Sequence, residues 1–351
     1  MNIWSWVMRG RFEAYANQDQ DRIALAEALD EASPLFETHP EQARAILEQA
    51  RATARRLNEP WWERFYDHWL LQLLLHHIKD YNAALELAVR AAVEVRKPSY
   101  QQFPQRICLQ EDLISAYVGI DPLGHQQRIE QALDYMQREV APSAECRYCL
   151  QGLRTSFETE LGRLDRALAA GLEEMAAAQW SDHHLMGAYT SLCEIAYLRG
   201  DWQNLPDWAV AGEALAIAND DLDNLIEFLA WQAVCARRQG DEEAAQRLYR
   251  RATSRAGRMG VPPGRIYFDA ICAYHELRGA YHLALKVRER QLATLAGSGQ
   301  LYRTGLCHIQ RCRLLKLLGK PLDEAAAMAR DAIAQLSDPA PLLAHLAEAM
   351  A

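Results

Sequence analysis

The chain has 351 residues, half of them hydrophobic, with 38 Lys and Arg against 47 Asp and Glu for a formal net charge of −9. That balance excludes a disordered polyampholyte and disfavours nucleic acid, a partner that draws on Lys and Arg gathered into a stripe. No stretch holds the roughly 18 uninterrupted apolar residues of a membrane span, and none has the apolar core of a secretory signal, so a cytoplasmic location is expected.

Residues 1–20 read as an N-terminal cap, with Trp4, Trp6, Val7, Met8 and Phe12 on a helix covering whatever follows. From residue 21 to 337 a pattern then repeats: a Leu- or aromatic-rich helix, a short turn, and an Ala-rich helix. The turns are His39-Pro40, Lys79-Asp80-Tyr81, Gly119-Ile120-Asp121, Gly162-Arg163-Leu164, Gly200-Asp201-Trp202, Gly240-Asp241-Glu242, Gly279-Ala280-Tyr281 and Gly319-Lys320-Pro321. From Lys79 onward their spacings are 40, 43, 38, 40, 39 and 40 residues. Gly offers the left-handed conformation that ends a helix, and Asp80, Asp201 or Asp241 can cap the next one. Small residues early in the second helices (Ala43, Ala84, Ala167, Ala245, Ala284, Ala325) let paired helices approach closely. Breakers such as Lys97-Pro98-Ser99, Ala141-Pro142-Ser143 and Gly260-Val261-Pro262-Pro263-Gly264 close the units. Residues 338–351 supply a C-terminal capping helix.

A two-helix unit cannot bury its apolar face alone, so about eight units are expected to stack into an all-α, right-handed superhelical solenoid. Gly200-Asp-Trp-x-x-Leu205, Gly240-Asp-Glu-Glu-Ala-Ala245 and Lys79-Asp-Tyr-Asn-Ala-Ala84 resemble the inter-helix turn of the tetratricopeptide-repeat family. The family's usual unit is about 34 residues, so the unit of about 40 implies longer helices. Such long units resemble those in sensory and regulatory repeat domains of bacteria. The third unit, residues 105–140, matches the pattern poorly.

Register explains several of the eight cysteines. Cys193, Cys272 and Cys312 each stand seven residues before the turn glycine of their unit, where Ala233 stands before Gly240. They read as buried small residues. Cys146-Arg-Tyr-Cys149 lacks the second ligand pair that zinc requires, and no sheet accompanies it for a redox role. No nucleophile elbow, phosphate loop, dinucleotide fingerprint or zinc-protease helix is present. Neither enzyme activity, metal nor cofactor is expected. Glu173-Glu174 and Glu242-Glu243 read as solvated pairs, and the Arg-rich run Arg247, Arg250, Arg251, Arg255 and Arg258 as one exposed basic helix.

In the resembled architecture the first helix of each unit lines a groove. The stripe two to three residues before each turn, and one helical turn earlier, gives Trp69, His76, His77, Tyr117, Glu160, Glu194, Tyr197, Arg237, Arg238, Asp269, Glu276, His308, Arg313 and Lys316. Arg237 and Arg238 are expected between Glu194 and Glu276. Mixed aromatic, acidic and basic patches suit a peptide or helix. Leu73, Leu113, Ser156, Glu194, Val234 and Ala273 stand where the resembled chaperone-binding members carry a Lys/Asn carboxylate clamp, which argues against a co-chaperone role. Two functions follow: a scaffold or adaptor holding a protein or peptide partner, or a sensor that binds a small peptide or metabolite and signals through a separate effector.

Overall fold

The computed structural model describes residues 3–140, 146–179 and 181–351; the breaker Ala141-Pro142-Ser143 lies outside them. Among the described residues there are eighteen α-helices and no strand. Helix α1 (Ile3–Ala16) is followed by α2 (Gln20–Ala32) with α3 (Pro40–Arg56), α4 (Pro60–Gln72) with α5 (Tyr81–Glu94), and α6 (Cys108–Ile120) with α7 (Gln126–Glu139). Then come α8 (Cys146–Glu160) with α9 (Leu164–Ala177), α10 (Asp182–Arg199) with α11 (Leu205–Ala218), and α12 (Leu222–Arg238) with α13 (Glu242–Ala256). The last are α14 (Arg265–Leu277) with α15 (Tyr281–Leu295), α16 (Leu301–Leu317) with α17 (Asp323–Ile333), and α18 (Ala340–Met350). Helices pack on their neighbours in sequence order, as in an all-α helical solenoid.

The turns show why the chain reverses where it does. Gly162, Gly200, Gly240, Gly279 and Gly319 all have φ between 64° and 83°, and Lys79 takes the same left-handed state at 61°. At Gly240 the next amide, Asp241 N–H, reaches back to the Ala236 carbonyl at 3.0 Å, and the Asp241 carboxylate accepts the Ala244 N–H at 2.9 Å. One turn thus satisfies the end of one helix and the start of the next.

Three turns depart from expectation. Gly119 lies inside α6, which runs to Ile120. The reversal is made instead at Asp121, whose buried carboxylate accepts the Gly124 N–H and the Ser337 N–H, both at 2.9 Å. Asp201 does not cap α11. It accepts from the Gln203 and Asn204 amides, and Leu205 then opens the helix. Before Lys79 the helical backbone widens into a π turn over Leu73–Ile78.

The contacts divide the chain into two compact units: 1–117, 128–140 and 297–299; and 118–127, 141–296 and 300–351. In the first, Trp6 of α1 packs against Trp62, with ring centroids 4.5 Å apart, and against Trp61, Phe65 and Phe103. Buried Asp67 sits between Arg51 and Arg64 at 2.6 and 2.8 Å. In the second, Trp231, Tyr274, Phe157 and Phe228 are the largest fully buried side chains. Gly212 is required there, because a Cβ would come within 2.2 Å of the Phe228 ring.

Cys193, Cys272 and Cys312 are all fully buried, as is Ala233. Burial pushes the Cys193 thiol well above its ordinary pKa, so it remains a neutral apolar group. Replacing Cys193 by Ser should destabilise the chain by about 1–3 kcal/mol, because a hydroxyl is buried without an assured acceptor. Cys272→Ser should cost less, since the Cys272 thiol already points to the Ala284 carbonyl at 3.5 Å, an acceptor that a hydroxyl can use. Urea denaturation of the two variants checks the order.

Candidate functional site

The second unit builds an inner layer from its first helices. Helices α8, α10, α12 and α14 touch in succession, and each second helix packs behind. Ion pairs cross this layer between helices that are not neighbours. Arg265, the first residue of α14, grips the Glu194 carboxylate of α10 through both terminal nitrogens, Nη2 at 2.7 Å from Oε2. Its Nη1 also reaches Asp269, one turn along α14, at 3.2 Å. Asp269 is bound in turn by buried Arg288 of α15, whose other contact is Gln291. Glu160, at the end of α8, pairs with Arg303 of α16, and the Tyr302 hydroxyl donates to the Glu160 carbonyl at 3.0 Å. Glu276 pairs with Arg313 at 2.5 Å.

An aromatic step adjoins this network. Tyr197 lies 4.9 Å from the Trp231 ring and 5.9 Å from Trp202, and the Arg238 guanidinium covers Trp202 at 4.6 Å. Burial pushes the Tyr197 phenol up to about 12, so it stays a donor. Trp231 is fully buried, and its indole N–H finds no acceptor among the described residues.

Glu227 of α12 is the exception to this pattern of pairing. It is 7% exposed, and a Cβ at Gly264, just before Arg265, would lie 2.8 Å from its Oε1. Burial pushes its carboxyl well above the ordinary range. Asp223 reinforces the shift, Arg265 opposes it, and Glu194 and Asp221 add smaller repulsion. Among the described residues no hydrogen bond or ion pair engages it, so a buried acid stands beside the Arg265–Glu194 pair.

The residues expected to line a groove distribute unevenly. Glu160, Glu194, Tyr197, Asp269, Glu276 and Arg313 take part in the layer just described. Arg237 and Arg238 do not stand between Glu194 and Glu276: Arg237 pairs with Glu242 at the next turn, and Arg238 lies on Trp202. Arginines closer to the two acids, Arg265 and Arg313, have taken that place. Lys316 is exposed, whereas His308 is only 8% exposed, its Nδ1 buried without a partner, and belongs to the packing. In the first unit Tyr117 is likewise buried at 6% exposure, with Arg128 over its ring. Trp69 joins Phe36 and Phe65, His77 packs at a tilt against Phe36, and His76 is exposed. Buried His68 and Gln72 hold Asp112 at 2.8 and 2.7 Å. Among the described residues no three His, Cys, Asp or Glu side chains are grouped so as to hold a metal ion. No helix among them is long and apolar enough to cross a membrane.

The architecture is that of an all-α helical repeat. A solved structure of this kind, the crystal structure of a Rap protein complexed with competence and sporulation factor, superposes with a TM-score of 0.54 over 93% of this chain and 99% of its own. At 13% identity that likeness concerns the fold. No protein-family model matches the sequence, and no curated protein does.

The acidic pair Glu173-Glu174 is split by the fold. Glu173 is exposed and accepts from Gln151 at 2.7 Å, whereas Glu174 is 2% exposed under Gly152, with its Oε2 unbonded. Burial raises the Glu174 carboxyl from 4.5 to about 7. The folded state therefore holds this proton more tightly than the unfolded chain does. Its contribution to stability is fully present below about pH 4.5 and is lost as the pH rises through about 7. The loss amounts to roughly 3 kcal/mol at most. Glu174→Gln should remove that share of the pH dependence and leave the protein more stable than the parent near pH 8. Urea midpoints for both proteins near pH 5 and pH 8 are the measurement.

Proposed function

We propose that the chain is a non-catalytic scaffold that holds a protein or peptide partner on the inner layer of its second unit. The observation that carries this reading is Glu227, a buried carboxyl with no hydrogen-bond or ion-pair partner among the described residues, beside a bidentate Arg265–Glu194 pair and the Tyr197–Trp231 step. Left alone, such a group is costly. A ligand N–H placed there would satisfy it, and an extended peptide backbone carries donors and acceptors at close intervals. Flanking aromatics supply area at low entropic cost. The solved neighbour's bound factor shows that a fold of this type can take a partner.

The inner carboxylates do not read as catalytic. Glu160, Glu194, Asp269 and Glu276 are each held by an arginine rather than set as an acid and base around a reacting atom.

A second reading is a regulatory sensor that binds a short peptide or metabolite and signals through a separate effector, as the long repeat unit suggests. The contact of Glu160 with Tyr302 and Arg303 favours it. These residues are 142 and 143 positions apart in sequence and meet across one unit, so a ligand there alters contacts between distant repeats.

A thermal-shift screen of short peptides and metabolites tests both readings. A ligand present at about 100 times its Kd should raise stability by roughly 2.7 kcal/mol. Binding should weaken at least about tenfold in Arg265→Lys, which loses the bidentate grip, and in Glu227→Gln. It should be unchanged in Arg166→Ala on the exposed face of α9. A ligand equally affected by Arg166→Ala and by Arg265→Lys would place binding elsewhere.

A further inference from the structure

Between Glu243 and Asp269 the chain carries six arginines and no acidic residue, in a protein whose net charge is −9. The fold sorts these arginines into two groups. Arg251 and Arg265 are turned to internal partners, Glu213 at 2.8 Å and Glu194. Arg247 and Arg250 share a stripe of α13 with exposed Ser254, and exposed Arg258 lies two residues past the helix end at Ala256. From Arg247 to Ala256, at 1.5 Å per residue, the helical part of that stripe is about 14 Å long. Arg247 has only an exposed contact at 3.3 Å to Glu243, one turn back, a geometry that contributes little. Arg250, Arg255 and Arg258 enter no ion pair among the described residues.

Helix α15 extends the same basic surface. Its exposed Lys286 and Arg290 have no ion pair among the described residues. Arg290 lies close enough to Tyr249 of α13 and to Tyr267 to pull both phenols downward against the effect of burial. Exposed Glu289 is directed away, to Arg311 at 4.0 Å. Arg163, Arg199, Arg237, Arg303, Arg311 and Arg313 of the second unit pair with carboxylates, whereas along α13, the residues just after it and α15 five cations gather with no ion pair among the described residues.

We propose that the exposed face of α13 and α15 is a docking surface for a carboxylate-rich segment of a partner protein, separate from the inner layer. Four of the five unmatched cations are arginines, whose planar fork grips a carboxylate through two parallel bonds. A polyphosphate strand offers comparable chemistry at each anion. It also extends beyond so short a stripe and would meet the surplus negative charge of the rest of the chain. A short acidic segment ends where the stripe ends. Physiological salt confines attraction to about 8 Å, so such a segment senses the arginines and not the net charge.

The test uses the full chain and a fluorescent peptide of alternating Glu and Ala, about as long as the stripe when helical. Anisotropy at low and physiological salt compares the parent with Arg250→Glu/Arg258→Glu/Arg290→Glu. A control, Arg138→Glu/Arg166→Glu/Arg330→Glu, makes the same charge change at exposed arginines elsewhere. Circular dichroism and thermal melting confirm that both variants remain folded. We expect the first triple to weaken peptide binding at least about tenfold and the control to leave it within about twofold, with a Gln-for-Glu peptide not bound. The proposal is overturned by failure of the parent to bind the acidic peptide even at low salt. Equal losses in both triples overturn it too. Tighter binding of a single-stranded oligonucleotide of equal length would make this a nucleic-acid surface. A dimer in sedimentation that only the first triple dissolves would make it an interface between two copies of this chain.

Discussion

Everything in this molecule depends on reversing the chain about every 40 residues without stranding the backbone groups of the helix ends. Gly200, Gly240, Gly279 and Gly319 achieve this by taking a left-handed φ, which lets the following amide reach back to a carbonyl five residues before it. A side chain at these positions would oppose that conformation. The reversal sets two helices side by side, and alanines fully buried at Ala167, Ala245 and Ala284 allow them to touch closely. Close pairing leaves each pair an apolar flank that only the next pair can cover. Repetition is thus the consequence of the turn. It also fixes which helices form the inner layer, and hence which side chains can meet there.

Meeting there has an electrostatic consequence. Acids projected inward from successive helices would repel one another in a region of poor solvation, so the layer holds an arginine for nearly every one. The pairs span helices two or four units apart, Glu194 with Arg265 and Glu160 with Arg303, and bind the repeats to one another as well as neutralising them. Breaking one would leave its partner charge poorly solvated, which is why such pairs rigidify. Glu227 lies outside this scheme: burial and nearby Asp223 disfavour its charged form, and Arg265 is already committed to Glu194 and Asp269. A site that is otherwise locked thus retains one group free to change partners.

How far the sequence speaks can be judged at individual positions. The turn glycines and the cysteines seven residues before them depend on local register, and register survives in any sequence that repeats. The third unit misled because Asp121, not Gly119, makes its reversal, and the stabilising donor is Ser337, more than two hundred residues away. In the inner layer, the stripe three to six residues before the turn found Glu194, Tyr197, Glu276 and Arg313. It stopped short of Asp269's partner Arg265 and of Glu227, which stand fourteen and thirteen residues before Gly279 and Gly240. Continuing the stripe up the helix at the same spacing would have reached both. Which acid meets which arginine could not be read at all, because that depends on how the repeats curve within a unit. Arg238 shows the limit: sequence placed it near Glu194, and the Trp202 ring holds it instead.

The two faces of the second unit differ in how their charges meet salt. Arg288 and the Arg265–Glu194 pair lie among helices that exclude most water, so ions in solution screen them weakly. Arg250, Arg258 and Arg290 stand in solvent, where attraction fades within about 8 Å at physiological ionic strength. Binding governed by the inner layer should therefore depend on shape and hydrogen bonding and change little with salt. Binding governed by the outer arginines should weaken steeply as salt rises. Partners on the two proposed surfaces would thus respond differently to salt. The difference arises from burial and from pairing, since the inner arginines are matched to acids and the outer ones are not.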